Sequence, residues 1–359
     1  MLAKPIIDVL VEMGDITAVA GYNQDMAAPG NRTMNKPIQL KLPTGLPVGS
    51  VNAYLFIEPE PVLIDAGIKT ESCWQALVDQ LAVHKLTPAD LSRIIITHPH
   101  VDHYGLAKRL VENSQATVWI NELGEPWLRE DGARWQARLH FYRDIFLPSV
   151  GYSPEMVQVI SQAMWQIWQQ ADPVPQERLV TFAPDAVLTF GGGEWQSIHV
   201  PGHTFAQTAF YQPSQKWLLS ADHLLEKTPT PVVEQDYPQP ERLPSLPQFL
   251  QSLALVAQLD VAAVFPGHGR PFTDHHAVIN RQRARINQRK EEAFALIEQG
   301  HTHILDILDI MYAHHPPQVR FAGLWMLVGY LDLLLADGRI VQKVVDGVIQ
   351  YDVARISGQ

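Results

Sequence analysis

One cysteine, Cys73, stands among 359 residues. It excludes an internal disulfide and leaves any metal site to nitrogen and oxygen ligands. Positive charge is also scarce: 27 Lys and Arg face 38 Asp and Glu, for a net charge of −11. That balance argues against nucleic acid or an anionic membrane as the main partner. No run approaches about 18 uninterrupted apolar residues, so no membrane-spanning helix is expected. The N-terminal stretch MLAKPIIDVLVEMGDITAVAG has no basic region ahead of a long apolar core, and acidic residues interrupt it. No signal peptide is expected there, and a cytoplasmic location follows. Internal repeats and low-complexity tracts are lacking as well.

What is present describes a globular chain. With 46% hydrophobic and 18% charged residues it can bury a real core. At roughly 150 residues per domain, its length suggests two domains. Between residues 36 and 268, IQLKLP, VNAYLFIE and PVLIDAG read as strands, ESCWQALVDQLAVHK as a helix and SRIIIT as the next strand. GLAKRLVENS then reads as a helix, with ATVWIN, WQSIHV, AFYQP, KWLLSAD and VAAVFPGHG as further strands. Such interleaving predicts a layered α/β architecture.

Two segments break the rhythm. Residues 125–172 have helical spacing and carry Trp127, Trp135, Phe141, Tyr142, Trp165 and Trp168. The plain reading is a helical hairpin packed on the core; the functional one is a lid whose aromatics line a pocket. Residues 228–247 contain Pro229, Pro231, Pro238, Pro240, Pro244 and Pro247, which predicts a stiff, extended loop. A boundary falls near residue 276, dividing a catalytic domain (1–276) from a C-terminal one (277–359). The latter reads as three helices followed by the pair RIVQKVV and GVIQYDV, the order of a winged helix.

The densest chemistry lies in IIITHPHVDHYG, where His98, His100, Asp102 and His103 follow an isoleucine run. The isoleucines predict a strand buried on both faces. His98 precedes Pro99 and is biased to extended geometry, so His98 and His100 project to one side. Asp102 and His103 sit where the next helix begins, and a turn returns them toward the same point. Ligands in open α/β sheets bind at such carboxyl ends of strands.

His98-x-His100-x-Asp102-His103 resembles the signature of the metallo-β-lactamase-fold hydrolases. Asp65 in VLIDAG, His203 in PGHT, Asp222 in LLSADHLL and His268 in FPGHG agree with it in order and spacing, over about residues 36–276. The resemblance implies an αββα sandwich holding two divalent metal ions, zinc first, with manganese or iron as alternatives. It assigns His98, His100 and His203 to one ion, Asp102, His103 and His268 to the other, and Asp222 to both. Asp65 would orient the cluster by hydrogen bonds. The implied mechanism is attack by a metal-bridged hydroxide, with Asp102 or Asp222 steering the proton. For His223 a structural role is favoured. Tyr104 is a candidate substrate contact, although packing at the helix start is the plainer role. His140, His199, His275, His276, His301, His303, His314 and His315 match no element of the motif.

The C-terminal segment looks like the winged-helix-like domain appended to one branch of these hydrolases, a branch that includes a mitochondrial endoribonuclease. Its charge speaks against nucleic acid: from residue 277 on, nine Lys and Arg meet nine Asp and Glu. Val319 to Ala336 contains only Arg320 and Asp332 as charges, whereas a groove-reading helix needs a polar stripe. Arg281, Arg285 and Arg289 form one basic stripe, read as a solvated face. A packing or dimerising role follows, and a homodimer is one partner state it allows. The expectation is therefore hydrolysis of a small thioester or lactone (glyoxalase II-like or lactonase-like). The alternatives are a phosphodiesterase or nuclease of the same fold, or a metal-bound regulatory protein.

Overall fold

The computed structural model describes residues 34–46, 48–129, 132–226, 242–315 and 317–354. The N-terminal stretch read for a signal peptide lies outside them, as do residues 228–241 of the proline-rich loop.

Two sheets face each other. The first has six strands in chain order: β1 (Ile38–Leu42), β2 (Val51–Phe56), β3 (Val62–Ile64), β4 (Arg93–Ile96), β5 (Thr117–Asn121) and β6 (Leu179–Phe182). It is antiparallel from β1 to β3 and parallel from β3 to β6. The second comprises β7 (Val187–Phe190), β8 (Gly193–His199), β9 (Thr208–Gln212), β10 (Trp217–Ala221) and β11 (Ala263–Pro266), in the order β11-β10-β9-β8-β7. Phe56, Ile64, Ile95, Phe190, Trp195, Phe210 and Phe265 fill the space between the sheets.

The isoleucine run behaves as its composition demands. Ile94, Ile95 and Ile96 are all fully buried. Ile95 points into the sandwich, while Ile94 and Ile96 join the cluster on the outer face. Helix α1 (Glu71–Val83) supplies Leu77 and Leu81 to that outer cluster. The first turns after β4 form α2 (Val101–Tyr104) and α3 (Ala107–Glu112). Strands β6 and β7 were not expected from the sequence. Each has only four residues, and LVTF and VLTF carry too little alternation to stand out.

The insertion is helical, comprising α4 (Glu125–Leu128), α5 (Ala133–His140), a π-helical turn (Phe141–Phe146) and α6 (Pro154–Trp168). After β10, α7 (Ser245–Val256) precedes β11. Then follow α8 (His275–Glu298), α9 (Ile304–Met311), α10 (Pro317–Ala336) and the hairpin β12 (Ile340–Val345) with β13 (Val348–Val353). The boundary expected at 277 falls in the first turn of α8, whose N-terminus Asp274 caps by accepting from the Ala277 amide at 2.8 Å.

One apolar core joins these parts. Phe141 and Phe146 of the insertion, Ile198 and Leu218 of the second sheet, Phe249 and Leu253 of α7, and Leu324, Leu327 and Leu331 of α10 all belong to it. Within α10, Val319–Ala336 is long and apolar enough to cross a membrane. Gly, Tyr and Asp interrupt its apolar run, and most of it is buried against the protein, as a packing role requires. Its two charges are tied down internally: Asp332 accepts from Arg242, and Arg320 pairs with Asp309. The basic stripe of α8 is not simply solvated either. Arg281 donates to the Glu226 carbonyl at 2.8 Å, and Arg289 to the Met311 carbonyl at 3.1 Å.

Candidate metal centre and its cleft

All seven side chains that the resemblance singled out as ligands meet at one edge of the sandwich. His98 and His100 follow the end of β4; His98 lies in a bend, and His100 is extended and occupies the N-cap position of α2. Asp102 and His103 follow in the first turn of that helix. His98 Nε2 lies 3.2 Å from His100 Nδ1, and His203 Nε2 lies 2.9 Å from the same atom. Asp222 Oδ1 is 3.5 Å from His103 Nε2; its Oδ2 is 3.5 Å from His203 Nε2 and 3.3 Å from His268 Nε2. His268 Nε2 is also 3.4 Å from Asp102 Oδ2. Three trios therefore place their donor atoms within 4.8 Å of one another: His98, His100, His203; His98, His103, Asp222; and Asp102, His103, His268.

The carboxylate–imidazole separations of 3.3–3.5 Å suit metal coordination better than hydrogen bonding. Two ligands about 2.0–2.1 Å from a tetrahedral ion stand roughly 3.3 Å apart. His103 Nε2 and Asp222 Oδ1 are buried without a hydrogen-bond partner, which is costly unless a cation sits between them. The donor set fits a pair of divalent cations.

Hydrogen bonds on the far side aim the rings. His268 Nδ1 donates to the Ser50 carbonyl at 2.9 Å, and His103 Nδ1 donates to Asp65 Oδ2 at 2.8 Å. Asp65, at φ 60°, also accepts from the Thr97 amide and hydroxyl. The Thr97 oxygen can then accept from His98 Nδ1, 3.0 Å away. In all three rings Nε2 is left as the lone pair facing the centre. Thr97 was missed by the sequence reading, although it directly precedes His98. We expect Asp65→Asn to weaken metal binding by roughly 10–100-fold, measured by competition with a chromophoric chelator. Unchanged affinity would mean that Asp65 only closes its turn.

Without cations the site balances its charge with protons. Burial pushes His98 and His100 well below the usual imidazole pKa, so both are neutral. Burial opposes charge on His103 too, but Asp222, Asp65 and Asp102 outweigh it and raise its pKa well above normal. At His268 burial is likewise outweighed, chiefly by Asp222, giving about 10. Burial raises Asp102, yet His103 and His268 bring it down to about 2. Three carboxylates thus hold protons on two imidazoles, where bound cations would release them.

Two glycines let the backbone come this close. A Cβ on Gly267 would stand 2.1 Å from Asp222 Oδ1. At Gly202, φ is +137°, and a Cβ would meet the Phe249 backbone of α7 at 2.5 Å. This contact sets the turn that carries His203.

Over the centre lies a cleft of about 660 Å³. Its floor includes His100, Asp102, His203, Asp222 and His268; Trp135, Arg138, Tyr142 and Trp168 come from the insertion, and Phe321 and Trp325 from α10. The insertion both packs on the core and lines the cleft. Trp165 faces a separate groove on its outer side. Arg138 was not singled out from the sequence, though positions 135, 138 and 142 share one helical face. Tyr104 is a correction: the cleft-lining residues do not include it, and at 2% exposure it packs beneath the first sheet. His223 is fully buried with its ring against Phe249. Cys73 is buried, and burial pushes its thiol up to about 11.

Two facing sheets flanked by helices, with histidines and aspartates gathered at strand ends, define a metal-site α/β sandwich. A model of the Metallo-beta-lactamase superfamily matches residues 46–268, more than half of the chain, and the chain belongs to that superfamily. It is 26% identical over 312 residues to the Bacillus subtilis (strain 168) protein "Probable metallo-hydrolase YqjP", covering 86% of this chain and 95% of that one. A second B. subtilis relative, "Probable metallo-hydrolase YflN", is 24% identical over 244 residues, covering 64% and 84%. Among solved structures, a metallo-beta-lactamase family protein from Thermus thermophilus has a TM-score of 0.73 at 24% identity, covering 88% of this chain and 98% of that one. A beta-lactamase domain protein from Burkholderia ambifaria has a TM-score of 0.74 at 23% identity, covering 90% and 94%. Both likenesses cover more than the 268 residues at which the family match ends, so they take in part of the C-terminal segment.

Proposed function

We propose that this chain is a dinuclear metal-dependent hydrolase of a small thioester or lactone. One observation carries the reading: seven histidine and aspartate side chains converge beneath an aromatic-roofed cleft, and five of them line its floor. His98, His100 and His203 would hold one ion, and Asp102, His103 and His268 the other. Asp222 would serve both, since its Oδ2 lies between His203 and His268. Imidazole and carboxylate donors without thiolate suit zinc, manganese or iron, and zinc is our first choice. When bound, such ions acidify water and polarise a carbonyl.

The chain's own residues do the rest. Trp135, Tyr142, Trp168, Phe321 and Trp325 enclose an acyl chain and exclude bulk water. Asp102, held ionised, accepts a hydrogen bond from the attacking water and orients its lone pair toward the carbonyl. Asp222 shares that task. The water proton ends on the departing thiolate or alkoxide. We read the three C-terminal helices and hairpin as winged-helix-like in order, with α10 put to packing and to roofing the cleft. The pairing of Arg320 with Asp309, and of Asp332 with Arg242, supports this over nucleic-acid binding.

Elemental analysis of protein purified without chelator should approach two equivalents of metal. A reproducible value near one in metal-replete protein would sink the dinuclear reading. A panel of a thioester, a lactone, bis-p-nitrophenyl phosphate and nitrocefin should show turnover on the first two, abolished by chelation. Turnover confined to the phosphodiester would make the chain a phosphodiesterase instead.

A further inference from the structure

We propose that Asn52 is a positioning residue for the second metal ion, acting through His268. It holds the turn that presents the His268 ring, and so governs how tightly the ion assigned to Asp102, His103 and His268 is kept. The proposal rests on the dinuclear reading and adds to it a residue outside the ligand set.

Asn52 lies in β2, which runs antiparallel to β3 and so begins at the edge where β3 and β4 end. Alternation turns positions 52, 54 and 56 toward the second sheet. Tyr54 and Phe56 fill that space with rings, whereas Asn52, at 1% exposure, places a carboxamide there. A buried amide is costly unless its hydrogens find acceptors, and here both do. Nδ2 donates to the Pro266 carbonyl at 2.8 Å and to the Gly269 carbonyl at 3.0 Å. The Asn52 backbone amide donates to the Gly267 carbonyl at 2.7 Å.

These three bonds bracket His268 in the chain, and all come from one residue of the opposite sheet. Other ties reach only one side of the turn. The Tyr54 hydroxyl donates to the Pro266 carbonyl at 2.8 Å, and Gln39 Nε2 to the Gly269 carbonyl at 3.0 Å. The Gly267 amide donates to the Ala221 carbonyl at 2.8 Å, which keeps the turn in register with its own sheet, next to Asp222. Asn52 instead fixes it against the first sheet, the sheet whose β4 leads into Asp102 and His103. The Ser50 carbonyl then sets the rotation of the imidazole by accepting from Nδ1 at 2.9 Å. Asn52 thus sets where the ring stands, and Ser50 sets how it points. His98, His100 and His203 hang on other turns. Loss of the carboxamide is therefore felt at one ion and spares the other.

The test is a zinc titration of the metal-free full chain against a chromophoric chelator, for wild type, Asn52→Leu, His268→Ala and the double variant. Leucine keeps roughly the side-chain volume and removes both donors. The wild type should take up two zinc ions, and His268→Ala identifies the step that belongs to its ion. Asn52→Leu should weaken that step by about 10–100-fold and leave the other within about threefold. In the double variant the asparagine change should add nothing to the loss from His268→Ala, because its effect passes through that ring. Asn52→Ala adds no bulk to the strand and should repeat the result, which guards against a packing fault in the leucine variant. Equal weakening of both steps, or additive losses in the double variant, would overturn the proposal and make Asn52 a purely structural residue. Two unaltered steps in Asn52→Leu would overturn it while leaving the dinuclear reading intact. Uptake of a single zinc ion by the wild type would sink that reading and the proposal together.

Discussion

Replacing Asp222 by alanine is expected to empty the centre of metal and to lower kcat/KM well beyond about 100-fold, the upper range for groups that only orient ligands. Asp222 is 4% exposed, and its two oxygens face His103 on one side and His203 with His268 on the other. No other carboxylate in the cluster touches members of both outer trios in this way. Its position comes from an irregularity: the β10–β11 register shifts between Leu219 and Ala221, and Ala221 adopts φ 45°. That kink turns the next side chain toward the centre. The neighbouring His223 provides the control. Burial pushes its pKa down to about 3, so it stays neutral, and it packs on Phe249 behind the site. His223→Ala should therefore keep both metals. Metal content by elemental analysis and kcat/KM on the best acyl substrate decide the case. Damage in the opposite order would mean that His223 is the ligand.

Trp325→Ala is expected to destabilise the whole molecule by roughly 3–5 kcal/mol and to raise KM for apolar acyl substrates. Its ring lies 5.4 Å from both Tyr142 and Phe146 of the insertion and 5.0 Å from Phe321. Truncation removes a large buried ring from the core shared by the catalytic half and the C-terminal helices, and it opens the cleft roof. Denaturant unfolding should show one transition shifted to lower midpoint, because both halves share that core. A separate early transition, with unchanged KM, would make the C-terminal segment an independent appendage. Trp325→Phe should recover most of both effects by restoring aromatic volume.

The metal cluster was largely legible in the residues because most of it is local. His98, His100, Asp102 and His103 sit within one strand end and one helical turn, where backbone periodicity alone sets direction. Asp65, His203, Asp222 and His268 each follow a strand, so sheet order brings them to the same edge. The isoleucine run, the helical insertion and the C-terminal order of three helices and a hairpin were equally readable. Strands β6 and β7 were not, since four residues barely carry a period. Tyr104 was weighed as a substrate contact because it adjoins the motif, and burial beneath the first sheet removed it from the cleft.

Residue order and periodicity were enough to say where the metal-type ligands lie, which strands carry them, and that α10 would be buried. What α10 is buried against came only from packing. Apolarity is non-directional, so Phe321 and Trp325 announce burial without naming the surface they meet. The same holds for Arg138, whose helical face was readable but whose neighbours were not. Its place beside a metal centre depends on how an insertion folds back across residues distant in the chain. Local periodicity carries no information about such contacts, and packing of the shared core supplies it.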